Sequence, residues 1–228
     1  MVRRSHTFVD QIDQHAELDG ERTWSDGTTH AIHESQTLRI ERVHETLAHE
    51  TAWTVAAYET PVSDRMWVLT ATGATPAPVL EELLNHLTDG DGWDTAIGAP
   101  VDEKMVTAAA QPLSAAGWKH TVDGRWIRWT SPAGDGGIQF DAFTTHHPIQ
   151  NLATWTIWAG PDPDRPTWAV TASPHTPSSL LADLSETLAH ETGLRCPRTA
   201  GPERRTSLFT SPPAAPAIAA SPAPSRSR

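Results

Sequence analysis

The sequence predicts an α+β protein made of two similar halves, each an antiparallel meander of about four strands closed by a C-terminal helix. Three observations carry this expectation. First, a stretch from Trp53 to about Gly90 returns between Trp155 and Glu191. Trp67, Thr70, Ala71, Thr75, Pro76, Leu80, Leu83 and Leu87 recur as Trp168, Thr171, Ala172, Thr176, Pro177, Leu181, Leu184 and Leu188, every pair offset by 101 residues. An ungapped repeat of that length marks a duplicated structural unit. Second, each copy passes from an apolar strand pattern to leucines at helical spacing. Third, Asp-Gly turns at Asp26-Gly27 and Asp123-Gly124 punctuate the strand-rich stretches ahead of them, which suits antiparallel hairpins.

Taken in order, residues 5–18 suggest a short helix, with Phe8, Ile12 and Ala16 four apart. Glu21 to Thr29 is turn-rich. Thr37 to Val43 alternates, Leu38 and Ile40 against Arg39 and Glu41, as a half-buried strand does. His44 to Thr51 has no clear period. Strands are expected over 52–60 and 66–72, joined by a turn at 61–65. Thr75-Pro76 then opens a helix, with Thr75 as the capping hydroxyl and Pro76 at the first helical position. Leu80, Leu83, Leu84 and Leu87 form its apolar stripe, and Asp89 to Gly92 stops it.

A second helix is expected within 101–116, broken at Pro112, because proline removes a helical hydrogen bond and crowds the preceding turn. Strands follow over 118–122 and 125–130. The glycine-rich run Gly134-Asp135-Gly136-Gly137 reads as part of a flexible hairpin. Further strands are expected over 138–143, 154–159 and 167–172, and the second leucine helix over 177–190, closed by Gly193. The domain boundaries that follow are 1–98 and 99–196 for the two repeats and 197–228 for a tail.

That tail is rich in Pro, Ala and Ser and has no period, so disorder is expected there. It carries Arg198, Arg204, Arg205, Arg226 and Arg228 against Glu203, a balance of +4. The whole chain is at −11, so the body stands at −15. An acidic body disfavours a general nucleic-acid surface. Cys196 is the only cysteine, which excludes a disulfide within the chain. No signal peptide or membrane span is evident, and a cytoplasmic protein is expected.

Ala116-Gly117-Trp118, Thr130-Ser131-Pro132, and Trp168 with Thr176-Pro177 and the leucine helix resemble the SPDY domain. This actinobacterial family, common in Streptomyces and often present in two copies, is a domain of unknown function (317). The second half, about 105–191, matches better than the first, which matches over 53–90. The resemblance implies the fold and a bacterial cytoplasmic setting, and it implies no activity. The namesake turn departs from the family pattern: Ala133-Gly134 separates Pro132 from Asp135.

Catalytic and metal chemistry find little support. His44 and His49 flank a glutamate in the manner of a zincin motif, but they are five apart, and two ligands on one helix face need a spacing of four. His30 and His33 add no ligand set of usable spacing, and His146-His147 reads as solvated. No cofactor is expected. Cys196 borders the tail and lacks a fixed base. Asp162, Asp164 and Arg165 suggest a structural salt bridge within a turn.

The function expected is a duplicated binding or interaction module without catalysis, with an unidentified protein partner. The alternative is an accessory protein at nucleic acid, in mobile-element maintenance or transfer. Tryptophans peculiar to the second half mark the candidate site. Ten tryptophans stand against one tyrosine and four phenylalanines. Trp158 has Ala56 as its counterpart, and strand alternation sets it on the face opposite Trp155. If Trp155 is core, Trp158 faces a partner or a covering element. Trp126 and Trp129 join it as candidates, on opposite faces of their own strand.

Overall fold

The computed structural model describes residues 22–25, 27–88, 101–144 and 153–195. The first half contributes β1 (Arg22–Ser25), β2 (Thr28–Ile32), β3 (Leu38–Val43), β4 (Thr51–Tyr58), β5 (Arg65–Thr72) and α1 (Ala77–Thr88). The second contributes α2 (Glu103–Ala115), β6 (Lys119–Asp123), β7 (Trp126–Thr130), β8 (Gly136–Asp141), β9 (Trp155–Ala159), β10 (Trp168–Ala172) and α3 (Ser178–His190). The α+β class and the helix closing each half are as expected. Each meander has five strands; β1 and β2 fall largely in the stretch that reads as turn-rich. The expected helix at 5–18, the stop at Asp89 to Gly92 and the tail lie outside the described residues.

All ten strands belong to one antiparallel sheet, in the order β1-β2-β3-β4-β5-β10-β9-β8-β7-β6. The halves therefore meet through their last strands. Register repeats with order: Trp53 faces Ala71 and Val55 faces Leu69, as Trp155 faces Ala172 and Ile157 faces Val170. Further out, Ile40 faces Val55 as Ile138 faces Ile157. A pseudo-two-fold axis passes between β5 and β10.

One face of the sheet carries Trp67, Leu69, Trp155, Ile157 and Val170 into a single apolar cluster drawn from both halves. Helices cover that face. Leu80, Leu83 and Leu87 of α1 and Leu181, Leu184 and Leu188 of α3 are buried, each contributing about 1.5–3 kcal/mol of transfer free energy. α3 touches both α1 and α2. Ser185 of α3, fully buried, directs its hydroxyl to the carbonyls of Ala109, 2.7 Å, and Leu181, 2.6 Å.

Two local expectations are corrected, the break at Pro112 and the salt bridge at Asp162, and two local details distinguish the halves. α2 runs unbroken through Pro112, because the proline falls in the last turn of a helix already held by the Asp102 cap and buried Val106, Ala109, Ala110 and Leu113. Thr176 does not cap α3: Pro177 is the N-cap, with ψ of 129°, and the Thr176 hydroxyl is buried without a partner. The two Asp-Gly pairs are not equivalent. Ser25 pairs with Thr28 around a turn that includes Gly27, whereas Asp123 is itself paired with Trp126, leaving Gly124 and Arg125 between. Asp162 accepts from the Asp164 N–H at 2.9 Å, an Asx turn in place of the expected salt bridge with Arg165.

Candidate functional site

Among the described residues, the three helices lie on the first face of the sheet, and none of them packs on the second. Along its middle, one row of side chains crosses nine strands from β2 to β6: His30, Glu41, Thr54, Thr70, Thr171, Thr156, Gln139, Arg128, Thr121. Every member is polar; Gln139 is buried, and the others keep some exposure to water. The centre is symmetric in chemistry and the flanks are not. His30 and Glu41 on one side correspond to Arg128 and Gln139 on the other.

The second-half flank carries the most chemistry. Arg128 Nε donates to Gln139 Oε1 at 3.1 Å. Trp126 stands half-buried between two guanidinium groups, with the Arg125 Cζ 4.6 Å and the Arg128 Cζ 5.8 Å from its ring. Arg125 also pairs with Asp141, 2.5 Å apart, and that carboxylate is 1% exposed. Asp141 Oδ1 accepts from the Phe143 N–H, 3.0 Å, so the buried charge is met from two sides. Phe143 is 53% exposed beside this group, and the Arg125 guanidinium lies 5.8 Å from its ring. At the matching positions of the first half stand Gly27, Thr28 and His30, so the cluster is a feature of one half only.

Of the three candidate tryptophans, Trp126 lies here, on the open face. Trp129 does not: it points to the helix side, joins the apolar core, and packs on His120 with ring centroids 5.0 Å apart. Trp158 shares the open face with Trp126, but it is 2% exposed. Its six-membered ring lies over Gly137, where a Cβ would come within 2.4 Å. A strand position without a side chain lets the indole lie down on the sheet, so of the two alternatives for Trp158 the packed one holds, and Trp158 is not a partner-facing candidate. Gly136 and Gly137, expected in a flexible hairpin, are buried strand residues for the same reason of close approach.

In the first half, Arg39 lies over Tyr58, 4.5 Å from its ring, and Arg42 over Trp53, 4.9 Å. Burial lowers the Arg42 pKa by stripping water from the guanidinium. Among the described residues no group of three or more His, Cys, Asp and Glu is placed to hold a metal ion. His44 Nε2 instead meets Thr29 Oγ1 at 2.6 Å. The arginines of the Trp126 cluster were missed in the sequence because nothing local pairs position 125 with 141 or 128 with 139.

No curated protein and no solved structure matches the chain. One family model matches in two segments, residues 34–93 and 130–194, which together span more than half of the 228 residues. These segments hold β3 to α1 and β8 to α3, the two halves of the sheet that the register relates. The chain thus belongs to the SPDY family, a domain of unknown function (DUF317), and carries two copies of its domain.

Proposed function

We propose that the protein is a non-catalytic binding module whose partner docks on the sheet face opposite the described helices, at Trp126, Arg125 and Arg128. The observation that carries this is the asymmetry of the duplication. The shared tryptophans and leucines lie in the core, and the shared Thr70 and Thr171 meet at the seam. The guanidinium–indole cluster is confined to one half and faces outward, with Phe143 exposed beside it. Trp and Arg are the residue types that dominate binding hot spots. A protein partner in the cytoplasm fits best. Among the described residues no helix is long and apolar enough to cross a membrane.

A second reading is supported by where the charge lies. The helix layer holds Glu81, Glu82, Glu103, Asp183 and Glu186 against Lys104. The open face sets Arg39, Lys119, Arg125 and Arg128 against Glu41, Asp123 and Asp141. The acid is concentrated away from this face, which keeps a nucleic-acid partner in play, with bases stacking on Trp126.

The test compares wild type with Trp126→Ala and Arg128→Ala as baits, quantifies the proteins captured, and measures affinity for any that is enriched. Both variants should lose at least tenfold in affinity while their melting temperatures stay near wild type. Equal capture by wild type and both variants overturns the site. A labelled oligonucleotide bound by wild type, with affinity falling steeply in salt, moves the assignment to the second reading.

A further inference from the structure

Three stretches of chain, far apart in sequence, meet at one side chain. Arg195 is buried, its side chain 7% exposed. Its guanidinium carbon stands 5.1 Å from the centre of the Trp118 ring. Its Nε lies 3.7 Å from Asp135 Oδ1. Its Cγ rests against Gly136, 3.4 Å from where a Cβ would stand. The residue before it is held as well: Trp168 Nε1 donates to the Leu194 carbonyl at 2.8 Å. Trp118 closes the Ala-Gly-Trp segment, Asp135 ends the turn that begins Ser131-Pro132, and Trp168 opens β10.

The turn holds its own shape. Ser131 Oγ donates to Asp135 Oδ1 at 2.5 Å, and the Asp135 N–H donates back to Ser131 Oγ at 3.1 Å. The Ser131 carbonyl accepts from Gly134, and the Asp135 carbonyl from Gly160. The carboxylate is thus fixed by contacts that do not involve Arg195. A buried guanidinium is costly without a countercharge, and a planar cation gains from an aromatic face. Asp135, Trp118 and the bare Gly136 backbone supply the charge, the face and the space. Arg195 Nε nonetheless has no hydrogen-bond acceptor, so charge is compensated there and the donor is not.

We infer that the Ser131–Asp135 turn, with Trp118 and Gly136, is a guanidinium-binding site, and that Arg195 is its resident occupant from the same chain. The two residues Ala133-Gly134, which separate Asp135 from Pro132, lengthen the turn without losing the carboxylate, because Ser131 still reaches it. The site latches the segment after α3 onto the β7–β8 turn. It belongs to the second half alone: the β3 and β8 registers make Thr37 the counterpart of Asp135, and threonine brings no charge.

Chemical rescue tests this in the full chain. Arg195→Ala should melt several degrees below wild type, and millimolar methylguanidinium should restore part of that loss. The same addition should leave wild type and Arg195→Ala/Asp135→Asn unchanged, and methylammonium should rescue nothing. Arg195→Lys should stay below wild type, because an ammonium offers no plane to Trp118. If Arg195→Ala does not fold, Asp135→Asn replaces it: Asp135→Asn should melt below Arg195→Met/Asp135→Asn, where no buried charge is left alone. Rescue of the double variant as strongly as the single one overturns the site, as does Arg195→Ala or Asp135→Asn melting with wild type.

Discussion

Thr70 and Thr171 stand 101 residues apart and face each other across the junction of the two halves, hydroxyl to hydroxyl at 2.8 Å. They are each other's counterparts in the duplication, and they are directly paired in the sheet. A residue paired with its own copy lies on the symmetry axis. The contact is therefore of the self-complementary kind that a two-fold interface has, here closed within one chain.

Because the pair is partly buried, losing it should register. Thr70→Val and Thr171→Val each remove one hydroxyl at nearly constant shape. Each should destabilise by about 1 kcal/mol, and the double variant should cost less than the sum of the two. Urea unfolding of the four proteins measures this. Strict additivity would show that the hydroxyls do not interact.

The junction is short, with three residue pairs in register, and side chains extend it. The Val68 N–H donates to Ser173 Oγ at 3.0 Å, and the Ala169 N–H donates to Thr72 Oγ1 at 3.1 Å. These two bonds are themselves related by the 101-residue offset. Ser173→Ala should leave the Val68 N–H without that acceptor and cost about 1–3 kcal/mol. Amide exchange at Val68 should quicken in this variant. Unchanged protection there would remove Ser173 from the junction.

Trp158 is expected to behave as a packed residue. Trp158→Ala should cost about 3–5 kcal/mol, the range for truncating a buried aromatic. Gly137→Ala should also destabilise, since its methyl group would meet the indole ring. A Trp158→Ala variant that unfolds at the wild-type urea concentration would return Trp158 to the list of exposed side chains.

Much of the fold was legible because it rests on local patterns. Leu80, Leu83 and Leu87 can share one face only on a helix, and Leu38, Ile40 and their polar neighbours alternate only on a strand. The 101-residue repeat then doubles each inference. Trp126 was legible as a residue peculiar to the second half. Its neighbours were not: Arg125 meets Asp141, and Arg128 meets Gln139, only because β7 lies beside β8. Alternation sets Trp158 on the correct face and leaves its exposure open, since it reports direction and says nothing of what lies beneath. Gly137 lies beneath it, and strand pairing alone brings the two together.

By itself the sequence determined the duplication, which is identity at a fixed 101-residue offset, and the class, the helix stripes and the alternation of each strand, which are properties of residues within a few positions of one another. The tertiary structure decided that the halves join through β5 and β10, that the described helices share one face, that Trp158 lies flat, and that Arg195 is drawn to Asp135. Each of these depends on which distant segments pair. Backbone hydrogen bonds between strands are chemically alike, so a strand's pattern shows that it pairs without naming its partner; packing of the shared core selects among the possibilities.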